Sequence, residues 1–145
     1  MPTIKTAIDV GASAEIVWRV LTQFPQYPHW NPFLVAVYGS AVVGQKLIIH
    51  ERLLKGHVRK FTAKVVKAIP AAELRWRRRR LLEGLFDREQ SFFIIPNGIK
   101  GVRFIQREHF SGLLAALIMP FITDKTLKAF NLMNLALKRT AEAKR

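Results

Sequence analysis

Helical periodicity begins at Leu113 and holds nearly to Arg145, directly after a run of short alternating segments, and this order narrows the folds open to the chain. In its second half Thr126, Phe130, Met133, Asn134, Leu137 and Ala141 share one face, while Lys125, Lys128, Lys138, Arg139 and Glu142 form a polar one. Such a helix needs an apolar partner along its length. Pro120 should kink or restart it, because proline cannot donate to the preceding turn. The alternating segments are 3–10, 33–38, 45–53, 58–69, 72–79, 85–95 and 101–110. Short turns between the last six favour antiparallel pairing, and Asn97-Gly98 is a hairpin signal. The inner face of that sheet is the one large apolar surface available to the helix. The expected class is α+β, in one domain spanning 1–145.

Between the first and second strands Ser13 is placed to cap a helix, with Glu15 in its first turn. Val17, Trp18, Val20, Leu21 and Phe24 make its apolar stripe. Pro25, Pro28 and Pro32 then permit only a turn or a broken second helix. Half of the residues are hydrophobic, which argues against wholesale disorder, and the absence of cysteine excludes disulfides and thiolate metal sites. No secretory signal is read at the N-terminus, so the cytoplasm is the expected compartment.

Alternation sorts the side chains of the strands. Leu74 and Trp76 should point inward, as should Phe86, Gln90, Phe92 and Ile94, and Val102, Phe104, Gln106, Glu108 and Phe110. Gln90, Gln106 and Glu108 are then polar groups on an apolar wall. Each either meets a ligand or pairs internally, since a buried polar group without a partner costs about 1–3 kcal/mol. Glu108 is expected to pair with Arg88 or Arg78. Gln90 and Gln106 are expected to meet the ligand.

Several stretches carry a family resemblance. They are Ala12-Ser13-Ala14-Glu15-Ile16-Val17-Trp18, Tyr27-Pro28-His29-Trp30-Asn31-Pro32-Phe33, Glu73-Leu74-Arg75-Trp76, Gly84-Leu85-Phe86-Asp87, Gln106-Arg107-Glu108-His109-Phe110-Ser111-Gly112, and 129–138. In this order and spacing they resemble the SRPBCC superfamily, the START/Bet v 1-like group that includes polyketide cyclase-like and coenzyme Q-binding proteins. The resemblance implies a helix-grip fold: a curved seven-stranded antiparallel sheet wrapped around a long C-terminal helix, with a short N-terminal helix pair. It also implies a hollow core holding a hydrophobic small molecule, such as a lipid, quinone or polyketide-like compound. The residues then expected at the ligand are Trp30 and Asn31 as a lid, with Trp76, Gln90, Phe92, Gln106, Glu108, Phe121, Phe130, Met133 and Asn134 along the wall. For Trp30 and Asn31 the plainer alternative is a plug and a turn cap. Compared with such relatives, Arg88 stands near a usual Gly, Gln90 near a usual His, and Arg78 where a small residue is common.

Catalytic signatures are absent: there is no nucleophile elbow, no phosphate-binding glycine loop and no HExxH. Glu108 is the one carboxylate offered for acid–base work of a cyclase or dehydratase type. His50-Glu51 and Glu108-His109 cannot chelate one metal, because adjacent strand residues face opposite ways. No metal and no cofactor are expected. The run Arg77, Arg78, Arg79, Arg80 reads as a strand end rather than a specific nucleic-acid site. Lys and Arg total 24 against 10 Asp and Glu, a net charge of +14. That surface attracts anions without specificity, so weak association with anionic membranes is expected. Leu113, Leu114, Leu117 and Ile118 would anchor a peripheral membrane protein if exposed. Packing on the sheet is expected of them instead.

Overall fold

The structure is a computed structural model that describes residues 3–54, 56–78, 84–99 and 101–145. Seven strands form one curled antiparallel sheet in the order β1-β7-β6-β5-β4-β3-β2. They are β1 (Thr3–Val10), β2 (Leu34–Tyr38), β3 (Lys46–Leu54), β4 (His57–Ile69), β5 (Glu73–Arg78), β6 (Asp87–Pro96) and β7 (Val102–Ser111). Helices α1 (Ala14–Thr22) and α2 (Tyr27–Trp30) fill the crossing from one sheet edge to the other, and α3 (Ala115–Glu142) lies on the inner face. This is the helix-grip architecture expected from the sequence.

Strand ends differ from the sequence reading by a residue or two. The largest difference is β6, which starts at Asp87 rather than Leu85. Leu85 is held instead in the preceding turn, where its carbonyl accepts from Leu114 N–H at 2.7 Å. Gly112 makes that approach feasible: it sits at φ +102°, and a Cβ there would meet the Leu85 carbonyl oxygen at 2.5 Å. Arg77 and Arg78 end β5, whereas Arg79 and Arg80 lie outside the described residues.

Ser13 caps α1, its hydroxyl accepting from Ile16 N–H at 3.3 Å, as its position predicts. At the other end of α1 the Leu21 carbonyl would be an orphan acceptor. The buried Tyr27 hydroxyl donates to it, which ties α2 back onto α1.

Helix α3 is continuous through Pro120, so the expected restart does not occur. Proline there removes one bond to the Ala116 carbonyl, and Ala116 is exposed, so water can serve that oxygen. From Ala129 onward α3 buries Phe130, Met133, Asn134, Leu137 and Ala141, whereas before it only Ala115 and Thr126 are buried. The expectation that Leu113, Leu114 and Leu117 pack on the sheet is overturned. They are exposed, and Ile118 is half-buried. The reason is geometric: the inward positions of this half are taken by Ala115, Met119, Ile122 and Thr126.

Burial pushes the Tyr27 phenol far above its ordinary value. The proton count fixes the sign of the pH effect. An unfolded phenol ionises near about pH 10, so above that value unfolding releases a proton that the fold retains, and stability falls as pH rises. The Tyr27 phenolate should therefore appear in an ultraviolet pH titration only as the fold opens. Tyr27→Phe should lessen the alkaline sensitivity and cost about 1–3 kcal/mol in a denaturant melt, because the Leu21 carbonyl loses its donor. Ionisation of Tyr27 ahead of unfolding would contradict this packing.

Candidate functional site

The inner wall of the sheet carries two kinds of polar group. The first is an amide network. Gln90 Nε2 donates to Gln106 Oε1 at 3.0 Å, Gln106 Nε2 donates to Asn134 Oδ1 at 2.9 Å, and Asn134 Nδ2 donates to Thr6 Oγ1 at 2.8 Å. All four residues are buried. They join β6, β7, α3 and β1, so Gln90, Gln106 and Asn134 bond one another where the sequence suggested ligand contacts. The bonds follow from the register, which sets Gln90 diagonally from Gln106 on the same face, while Asn134 reaches Gln106 from the helix.

The second is a row of four charges, toward the end of the sheet that faces the first half of α3. Arg88 donates from Nε and Nη2 to the two oxygens of Glu108, both at 3.0 Å. Arg78 Nη2 donates to Glu51 Oε2 at 2.5 Å across the intervening strand β4. There Phe61 lies 3.6 Å under the Arg78 guanidinium. Glu51 and Glu108 are buried. Glu108 thus pairs with Arg88, one of the two partners that the sequence offered. Glu51 was not singled out as a site residue, although Leu47, Ile49 and Glu51 alternate inward just as Gln106 and Glu108 do. The signal was the same, a carboxylate on an apolar face.

The four charges influence one another. Burial pushes the Glu51 carboxyl up, opposed by the guanidinium charges of Arg78 and Arg88, with the Glu108 charge adding to the rise. Burial also lowers Arg78, and the like charge of Arg88 adds to that, against Glu51 and Glu108. Arg88 goes the other way: burial would lower it, but the charge and hydrogen bonds of Glu108 outweigh burial and raise it.

Trp76 shares a rung with one of these groups, since it lies opposite Gln90, which is opposite Glu108. Its ring meets Phe24 at 6.2 Å and Phe92 at 5.1 Å, and Phe130 meets Phe33 at 5.6 Å. Trp76, Phe92, Phe130 and Met133 are all wholly buried. The Trp76 Nε1–H has no acceptor among the described residues, and the buried Thr126 Oγ1 on α3 has no partner either. Thr126 was placed on the buried face by the sequence, but its unmatched hydroxyl has no signature there.

The remaining expected site residues lie elsewhere. Phe121 is 77% exposed on α3 and does not line the interior. Helical phase places it beside Leu117 on the outer face. Asn31 serves as a turn cap, with Oδ1 accepting from Phe33 N–H at 3.0 Å and Leu34 N–H at 2.9 Å. Trp30 packs its edge on Tyr27 at 5.1 Å. It lines an outer groove of about 510 Å³ with Gln26, His29, Thr140 and Lys144, away from the charged row. A second cleft of about 380 Å³ lies between α3 and the β3–β4 hairpin, with Glu51, Leu53, Val58, Arg59, Ile122 and Lys125 in its lining. It brings solvent to the Glu51 end of the row. Among the described residues no cluster could hold a metal ion.

No curated protein matches the chain. Solved structures share its fold at low identity. A START superfamily protein from Mycobacterium smegmatis aligns with a TM-score of 0.77 at 17% identity, over 99% of each chain. A norcoclaurine synthase point mutant from Thalictrum flavum, in complex with a transition-state analogue, aligns at 0.73 and 15% identity, over 99% of this chain and 96% of that one. The di-domain ARO/CYC protein BexL of the BE-7585A biosynthetic pathway aligns at 0.74 and 16% identity, over 98% of this chain and 47% of its own. A family model described as polyketide cyclase / dehydrase and lipid transport matches residues 1–142. With that match running almost from end to end over a helix-grip sheet and its long helix, the chain belongs to the polyketide cyclase / dehydrase and lipid transport family.

Proposed function

We propose that the chain binds an apolar small molecule bearing a hydrogen-bonding group, against the inner sheet wall beneath the first half of α3, and carries it without chemical change. The observation that bears most weight is the buried Trp76 indole N–H with no acceptor, joined by the unmatched Thr126 hydroxyl. An unsatisfied buried donor costs about 1–3 kcal/mol, which an acceptor on a ligand would offset. An apolar pocket with few placed polar groups is the usual form of a small-molecule site. The family description names both lipid transport and cyclase or dehydrase activity, and the aligned norcoclaurine synthase holds a ligand.

The carrier reading is favoured over the enzyme because the inner carboxylates are committed. Both oxygens of Glu108 accept from Arg88, and Glu51 accepts from Arg78. A general base needs a lone pair within reach of the substrate proton. None of the four histidines supplies one from the inner wall. His50 and His109 point to the outer sheet face, His29 lines the outer groove, and His57 is exposed at the rim of the second cleft.

Native mass spectrometry of freshly purified protein should show a retained mass in the lipid, quinone or polyketide range, and an apolar fluorophore should bind and be displaced by it. A chain that retains nothing and binds no probe above background would defeat the proposal. Thr126→Val keeps the side-chain shape and removes the unmatched hydroxyl. It should stabilise the free protein by about 1 kcal/mol while weakening the retained ligand. Destabilisation without a change in binding would mean that the hydroxyl serves the fold.

Glu108→Leu should cost about 3–5 kcal/mol in a denaturant melt, because it strands Arg88 in the interior. Arg88→Met combined with Glu108→Leu should recover most of that loss. A stable Glu108→Leu protein that binds ligand but lacks a detectable turnover present in the parent would promote the cyclase or dehydratase reading instead.

A further inference from the structure

We propose that the outer face of the first two turns of α3 is a docking surface for an anionic lipid bilayer. Leu113 is 81% exposed, Leu117 68% and Phe121 77%. Leu117 and Phe121 are four residues apart on one side of the helix, and Leu113 and Leu114 are exposed in the turn that leads into it. A contiguous apolar stripe on a protein surface marks an interaction site more than a scatter of single residues does.

The stripe is held in place. Leu113 N–H donates to the Gly84 carbonyl at 3.0 Å and Leu114 N–H to the Leu85 carbonyl at 2.7 Å. Ala115 is buried directly behind them. Its large side chains are therefore fixed outward.

Charge decides between occupants. Lys125 and Lys128 are exposed on the next turns, and His57, Arg59 and Lys60 are exposed on the β3–β4 hairpin across the cleft. Asp124 is the one exposed anion of that half of the helix. A second copy of this chain would set +14 against +14, so self-docking is disfavoured. A lipid surface with anionic headgroups meets both features, since apolar side chains enter the acyl boundary while cations stay at the headgroups. The contact is interfacial, because among the described residues no helix is long and apolar enough to cross a membrane.

Vesicle co-sedimentation tests the surface without reference to the carried ligand. The full chain should bind phosphatidylglycerol-containing vesicles more tightly than pure phosphatidylcholine, with a remainder that survives high salt, because apolar insertion is not screened. Leu117→Ser combined with Phe121→Ser should remove that remainder and lower affinity by about tenfold or more, with an unchanged thermal melt. Leu132→Ser, at another exposed position of α3, should change nothing. Phe121→Trp should shift its emission to the blue on anionic vesicles. Binding lost wholly at high salt, or equal in the double serine variant, would overturn the proposal and leave only screened attraction to a basic surface. So would a stripe whose loss altered the oligomeric state or a protein partnership but not vesicle binding.

Discussion

The packing of one helix stripe on one sheet face holds the rest of this structure in place. Phe130, Met133 and Leu137 have nowhere else in the chain to be buried, and neither do Phe104 and Val102. Apolar burial alone would leave the helix free to slide or rotate on the sheet, because the hydrophobic effect is not directional. The amide chain from Gln90 through Gln106 and Asn134 to Thr6 removes that freedom, since each bond has one register that satisfies it. A second tie fixes the far end. The Glu142 carboxylate accepts from Gly11 N–H at 2.8 Å and from Lys138 Nζ at 2.6 Å, while Lys138 Nζ also donates to the Asp9 carbonyl. The C-terminal half of α3 is thereby bound to β1 at two points.

The row of charges answers a different constraint. Four ionised side chains on a sheet wall would each be expensive, but two guanidinia and two carboxylates sum to zero over a few strands. Phe61 lies under Arg78 and offers its ring face to a cation that has lost part of its hydration. Replacing the four by apolar residues would be expected to cost little stability, and retaining them keeps a polar end on an otherwise greasy interior. That pairing also occupies both oxygens of Glu108 with Arg88.

The strands, their antiparallel order and the buried stripe of α3 were legible because they rest on periodicity, which a sequence displays directly. Trp76, Phe92, Phe130 and Met133 were likewise placed inward by alternation or helical phase. What alternation cannot supply is the identity of a partner. Gln90 and Gln106 were correctly put on the inner wall, yet each completes the other, and only the cross-strand register brings them together. Phe121 lies outside despite its aromatic character, because helical phase puts it four residues on from the exposed Leu117. Glu51 is marked as inward by alternation through Leu47 and Ile49, yet the same alternation cannot name Arg78, two strands away, as its partner.

These observations divide α3 near Thr126. Beyond it every buried polar group of the helix has a partner, and the apolar side chains are covered by the sheet. Before it the helix buries little more than Ala115, shows Leu113, Leu117 and Phe121 to solvent, and ends on a buried hydroxyl with nothing to bond. Native proteins leave few buried polar atoms unmatched and few large apolar stripes bare, so finding both on one half of one helix is informative. The two deficits also face opposite ways, the hydroxyl inward to the wall and the stripe outward. Between them Met119 and Ile122 still pack against the core, so this half of the helix is seated by partly buried apolar side chains rather than by polar bonds.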